Sequence, residues 1–202
     1  MFITFEGIDG SGKSTQLRLL QAKLESEGRP VITTREPGGT ELGKHIRELL
    51  LHTPTAVDPL AELFLFAADR AQHVNGFIQP ALKENKWVLC DRYVDSTIAY
   101  QGFGRGLDIA ELQALNEKAT RGLLPEKTFL LDGPVDQLLA RTVKRQQYDR
   151  MEAGGIAFLE KIRQGYLEIA KHNSERFIVL DAMHPPEVIF SQVLNALILK
   201  TV

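Results

Sequence analysis

Cysteine is almost missing from this chain. Cys90 is the only one in 202 residues, so no disulfide can close within it. That usage suits a reducing compartment. Cys90 sits inside an apolar run and reads as a buried, inert thiol rather than a nucleophile. No stretch of about 18 apolar residues occurs, so no membrane span is expected. The chain enters Phe2-Ile3 with no basic region followed by a long apolar stretch; a signal peptide is not expected and a cytoplasmic location is. Excess positive charge is lacking as well. Lys and Arg number 24 against 26 Asp and Glu, which gives no basic field for wrapping duplex DNA, so no nucleic-acid partner is expected. His45, His52, His73, His172 and His184 show no H-E-x-x-H spacing and no cysteine pair beside them, so zinc is not expected. A G-x-S-x-G hydrolase elbow is absent, as are internal repeats, low-complexity tracts and long polar linkers.

What remains is strand-like and helix-like sequence in alternation. Short apolar runs at 2–5, 30–33, 87–90, 127–131 and 177–180 read as strands. Helical patterns lie at 16–27, 41–51, 58–75, 108–121, 135–145, 155–172 and 186–200. In 155–172, Ile156, Leu159, Ile162, Tyr166 and Ile169 keep helical spacing. This alternation implies βαβ units and an α/β fold with a mostly parallel sheet covered on both faces. The length fits one domain over residues 1–202. In such sheets chemistry gathers at the carboxyl ends of the strands. Gly102-Phe-Gly104-Arg-Gly106 is the most flexible-looking stretch, and it is not a G-x-G-x-x-G fingerprint.

The first strand leads into Gly7, Gly12, Lys13 and Ser14, spaced as G-x-x-x-x-G-K-[ST]. This is a P-loop. Glycines let backbone N–H groups approach a phosphate, and the following helix aims its positive end at the same anion. Lys13 supplies a charge for the outer phosphates, and the Ser14 hydroxyl is placed to ligate Mg²⁺. Chance would produce these four positions in about one chain in a hundred of this size. A strand before it and a helix after it supply the required context.

Other strand ends are less specific. Arg35 follows the second strand, within Thr34-Arg-Glu-Pro-Gly-Gly39, either as an anion grip or as an ordinary surface arginine. Asp91 and Arg92 follow the third, as a Mg²⁺-holding acid with a phosphate fork or as a local ion pair. Phe66 and Arg70 share one helix face and could stack and bond a base. On spacing alone, a core phenylalanine and a surface pair of Arg70 with Glu62 or Asp69 explain them better. Arg141, Lys144, Arg145 and Arg150 form a basic run, either a solvated face or a lid over phosphates. Asn116-Glu-Lys118 is close to, but is not, the N-K-x-D guanine reader of GTPases.

Taken together, Phe5-Glu-Gly-Ile-Asp-Gly-Ser-Gly-Lys-Ser-Thr15, Thr34-Arg-Glu-Pro-Gly-Gly-Thr40, Phe66-Ala-Ala-Asp-Arg70, Asp91-Arg-Tyr93, Ser96-Thr-Ile-Ala-Tyr-Gln-Gly102 and Asp149-Arg-Met-Glu152 resemble bacterial thymidylate kinases along almost the whole chain. The resemblance implies the P-loop kinase fold: a five-stranded parallel sheet with helices on both faces and a short lid near 141–153. It implies ATP-dependent phosphorylation of dTMP to dTDP, Mg²⁺ and a homodimer. On this footing Gly7, Ile8, Asp9, Gly10, Ser11, Gly12, Lys13, Ser14 and Thr15 cradle ATP, with Arg141 against the adenine. Phe66 stacks on thymine and Arg70 bonds its O4 edge. Ser96 and Thr97 lie near N3, with Gln101 beside them. Tyr100 crowds the place of a ribose 2′-hydroxyl. Arg35 and Arg92 hold the acceptor phosphate. Asp9 contacts the 3′-hydroxyl or the metal shell, so Ser14, Asp91 and Asp9 are the expected metal set. Some family members carry an arginine in the P-loop where this chain has Gly10; here the basic residues lie in the lid. Charge stabilisation then falls to Arg145, beside Lys13 and Arg92. Two rivals stay open: a kinase for another small acceptor on the same fold, and a nucleotide-binding module with no acceptor.

Overall fold

The computed structural model describes residues 1–143 and 154–198. Five parallel strands form one sheet in the order β2-β3-β1-β4-β5. They are β1 (Phe2–Glu6), β2 (Val31–Arg35), β3 (Trp87–Asp91), β4 (Lys127–Asp132) and β5 (Phe177–Asp181). Every residue of the central strand β1 is buried, as a strand covered on both faces requires. Parallel neighbours cannot be joined by tight turns, so helices carry each crossover. These are α1 (Lys13–Ser26), α2 (Glu41–His52), α3 (Pro59–His73), α4 (Gln79–Lys83), α5 (Val94–Thr97), α6 (Ile109–Thr120), α7 (Val135–Val143), α8 (Gly155–His172) and α9 (Pro186–Ile198). Local chemistry sets the helix starts. The Thr40 hydroxyl accepts the Gly43 N–H at 3.0 Å at the head of α2. Asp58 accepts the Leu60 N–H at 2.9 Å ahead of Pro59, which has no N–H to satisfy there.

All five expected strands form, and each runs past its apolar residues to end on an ionisable one: Glu6, Arg35, Asp91, Asp132 and Asp181. The register pairs Phe5 and Arg35 each with Asp91, and Asp132 with Asp181, so the carboxyl ends of the strands come level along one edge of the sheet. Ile3, Phe5, Leu89, Phe129 and Leu130 form the centre of the core, and α1 adds Leu17, Leu20 and Leu24 to it.

Two segments differ from the sequence reading. The helix expected over 58–75 ends at His73, then widens into a π-helical turn, Val74–Ile78, and continues as α4 with Pro80 in its first turn. The stretch through Gly102 and Gly104 is regular structure rather than a loop. Ile98–Gly104 is a buried π-helical segment packed on α8. A Cβ on Gly165 would lie 2.7 Å from the Phe103 ring, so glycine serves close packing there. Arg145 and Arg150, with most of the expected lid, fall outside the described residues. The Glu36–Pro37 bond is cis. Among the described residues no helix is long and apolar enough to cross a membrane.

Candidate active site

The P-loop links β1 to α1 and is pressed against the carboxyl end of β4 and the start of α7. Gly10 has φ of 80°, and a Cβ there would stand 2.1 Å from the Leu138 carbonyl oxygen. An arginine at this position would meet that backbone first, which gives a physical reason for glycine here. Lys13 is buried and donates to the Gly7 and Ile8 carbonyls at 3.0 and 3.2 Å. Burial, and then Arg92, lower its pKa. The Ser14 hydroxyl donates to Asp91 Oδ2 at 3.1 Å. Asp91 Oδ1 is buried with no hydrogen-bond partner. One orphaned carboxylate oxygen beside one hydroxyl fits a hard divalent cation that takes its other ligands from phosphate and water. Among the described residues no group of three His, Cys, Asp or Glu could cage a metal unaided.

Arg92 does not pair with its neighbour Asp91. Its backbone is left-handed, with φ of 68°, and its N–H donates to the Phe5 carbonyl at 3.0 Å. Its side chain bonds Asp9 Oδ1 at 2.9 Å and the Tyr166 hydroxyl at 3.1 Å. The guanidinium also lies 5.1 Å from the centre of the Tyr100 ring, a cation–π distance. Asp9 stands 3.5 Å from Lys13 Nζ as well. Burial would raise the Asp9 carboxyl, but Arg92 and Lys13 outweigh it and hold it well below the usual carboxylate range. Cys90 is buried, and burial pushes its thiol pKa well up, which agrees with an inert role.

The surface-pair alternative for Arg70 does not hold. Arg70 is 2% exposed. Its Nε donates to Glu36 Oε2 at 2.8 Å, and its Nη1 to Thr97 Oγ1 at 2.8 Å and Asn116 Oδ1 at 2.6 Å. Its Nη2 donates to the Tyr93 carbonyl at 3.1 Å. Glu36 also meets His73 Nδ1 at 2.8 Å, and His73 Nε2 meets Thr34 at 2.7 Å. Glu62 instead receives Gln101, and Asp69 receives the Gly38 N–H. Burial, then Glu36, raise Asp69 to about 6. Phe66 is half-buried and lines a cleft with Arg70, Thr97, Tyr100 and Gln101. The Ser96 side chain also lines it, but its hydroxyl is 2.6 Å from Glu6 and 2.7 Å from Tyr166.

A second, larger cleft runs over Gly10–Gln16, Asp91, Arg141 and His184. Arg141 donates to the Ala182 carbonyl at 3.0 Å and forms one wall. Arg35 is exposed and lines this cleft, not the one with Phe66. The two clefts share Asp9, Glu36, Arg47, Leu51 and Arg92. Sequence reasoning missed Glu6, Glu36, His73 and Tyr166, whose partners lie far away along the chain, and Arg47, which donates to the Pro37 carbonyl at 2.9 Å. Asn116 drew notice only as part of a failed guanine motif.

A P-loop cleft that meets an aromatic, arginine-backed cleft at Arg92 and Asp9 defines a nucleotide-dependent phosphoryl-transfer enzyme. The chain belongs to the thymidylate kinase family, whose model matches residues 5–193. The thymidylate kinase of Clavibacter sepedonicus is 50% identical over 96% of this chain and 92% of its own. That of Thermosynechococcus vestitus is 48% identical over 93% and 82%. A crystal structure of thymidylate kinase from Ehrlichia chaffeensis superposes with a TM-score of 0.81 at 38% identity, covering 98% of this chain and 97% of that one.

Proposed function

We propose that this chain transfers the γ-phosphoryl group of ATP to dTMP, giving dTDP for DNA precursor supply. The meeting of the two clefts at Arg92 and Asp9 carries this reading. The P-loop cleft takes ATP, with Arg141 beside the adenine. The Phe66 cleft takes dTMP, with Phe66 against thymine and Arg70 at its O4 edge. Four N–H bonds already hold the Arg70 guanidinium in place, so it meets the base without reorganising. Thr97 and Gln101 complete the wall of that cleft, and Tyr100 excludes a ribose hydroxyl. Arg92 and Lys13 align the acceptor phosphate, with Arg35 at the cleft mouth. The attacking phosphate is anionic at neutral pH, so positioning and charge neutralisation suffice.

Ser14 and Asp91 would hold Mg²⁺, which when bound neutralises charge on the ATP phosphates. Asp9 is engaged by two cations and serves the acceptor side or the outer metal shell. Arg145, outside the described residues, closes the lid over the transferred group. The chain works as one catalytic unit in the cytoplasm. The exposed Leu60 and Phe64 on α3 support a homodimer.

The direct test is ADP release with ATP and Mg²⁺ across a panel of nucleoside monophosphates. Strong preference for dTMP is expected. Preference for another monophosphate would discard the base pocket but keep the chemistry, and release independent of any acceptor would discard the kinase reading. For the metal site, Asp91→Asn should raise the Mg²⁺ concentration at half-maximal rate by roughly 10- to 100-fold. An unchanged Mg²⁺ titration would remove Asp91 from the metal shell.

A further inference from the structure

Glu6 closes the central strand, at the middle of the functional edge, and is fully buried. Its Oε1 accepts the Tyr93 N–H at 2.7 Å. Its Oε2 is one corner of a triangle of oxygens. Ser96 Oγ lies 2.6 Å away, the Tyr166 hydroxyl 3.0 Å away, and those two are 2.7 Å from each other. Three such contacts need three protons. Ser96 and Tyr166 bring one each. Arg92 Nη1 donates into the triangle from outside, at 3.1 Å to Tyr166 and 3.4 Å to Ser96, and fills none of its edges. A carboxylate would leave one edge as a bare contact between oxygen lone pairs. A carboxylic acid supplies the third proton and closes the ring.

We infer that Glu6 works as a protonated acid, a positioning residue that braces Arg92 through Ser96 and Tyr166 without drawing on its charge. This rests on the reading of Arg92 as the holder of the acceptor phosphate. Burial and one facing carboxylate favour the neutral form, against the Ser96 hydroxyl, the Tyr93 N–H and Arg92. Asp95 on α5 repels its charge, and Asp95 is itself gripped by Arg176 at 2.7 and 2.8 Å. Cys90 on β3, Tyr93, and Tyr166 on α8 add no positive charge, and Arg92, Lys13 and Arg176 pull the other way. Burial first and Asp95 second raise the Glu6 carboxyl to about 7.

While neutral, Glu6 leaves Arg92 shared between Asp9 and the acceptor. Once ionised above pH 7, it sets a second anion behind Arg92, and acceptor binding weakens. Binding of a phosphate dianion therefore draws a proton onto Glu6. At pH 8 dTMP is already a dianion, since the second pKa of such phosphates is about 6, so it exchanges no proton itself.

The test is calorimetric titration of dTMP into the full chain at pH 8, in two buffers of different ionisation enthalpy. The parent should take up roughly half a proton per dTMP bound, and its Kd should weaken about fivefold from pH 7 to 8.5. In Glu6→Gln, where an amide N–H replaces the acid O–H, most of that uptake and pH dependence should vanish. Uptake that comes from Lys13 would survive Glu6→Gln unchanged, and that result overturns the inference, as does a parent with no uptake. Should thermal melting show Glu6→Gln unfolded, Tyr166→Phe decides. With one hydroxyl gone the other satisfies the carboxylate, so uptake at pH 8 should fall; parental uptake there also overturns the inference. If dTMP gives no binding heat with folded parent, the proposed acceptor fails instead.

Discussion

Replacing Arg92 with lysine should lower kcat with dTMP about 1,000-fold, with ATP affinity little changed. Arginines that stabilise phosphoryl transfer contribute about 1,000-fold or more to kcat. Charge is kept in this variant, so the loss measures shape. The Arg92 fork reaches Asp9 with Nη2 and Tyr166 with Nη1 while its plane lies beside Tyr100. An ammonium has one charged point and no plane, so it cannot make these contacts together. The left-handed backbone at Arg92 strains lysine and arginine alike, which removes backbone strain as a rival explanation. Steady-state kinetics with both substrates varied will decide. A rise in the KM for dTMP with kcat intact would confine Arg92 to ground-state binding.

The second large effect concerns stability as well as recognition. Arg70→Met should destabilise the fold by about 3–5 kcal/mol, because it leaves Glu36 buried with only His73 for company. Binding of dTMP should weaken about 100-fold at the same time, through loss of a charged donor at the base edge. Chemical denaturation and equilibrium titration measure the two separately. Removing the stranded charge in the double variant Arg70→Met/Glu36→Gln should return part of the stability and none of the affinity. If the two substitutions simply add, the Arg70–Glu36 bond is not what holds this region together.

Much of this molecule is written in short-range pattern. The five strands stand within one or two residues of where their apolar runs place them. The runs stop short for one reason. Hydrophobicity marks only the apolar part of a strand, while Glu6, itself buried, and Arg35, Asp91, Asp132 and Asp181 belong to the ladder but stand at the functional edge. The P-loop was legible because its spacing is itself the mechanism. The support for Arg70 was not, because Glu36, Thr97 and Asn116 lie 34, 27 and 46 residues away and no local period links them. Phe66 and Arg70 read as ordinary helix residues until the resemblance singled them out. The π-helical turns escaped for a related reason. A wider turn keeps the same apolar composition, and only packing against a neighbour, as of Ile98–Gly104 on α8, reveals it.

The adjacency of β1 and β3 has an evolutionary consequence. The P-loop grows from one strand and Asp91-Arg92 from the next, and backbone bonds such as Arg92 N to Phe5 O at 3.0 Å fix the step between them. On the proposed assignment of ATP to the P-loop and the acceptor phosphate to Arg92, the interval between them is ruled by strand spacing, about 4.8 Å in any sheet, not by side-chain length. Helices α3 and α5, which carry Phe66, Arg70 and Thr97, stand outside that ruler. A descendant could retailor their cleft-facing residues for a different base and inherit the transfer geometry, so long as Arg70 and Glu36 change together.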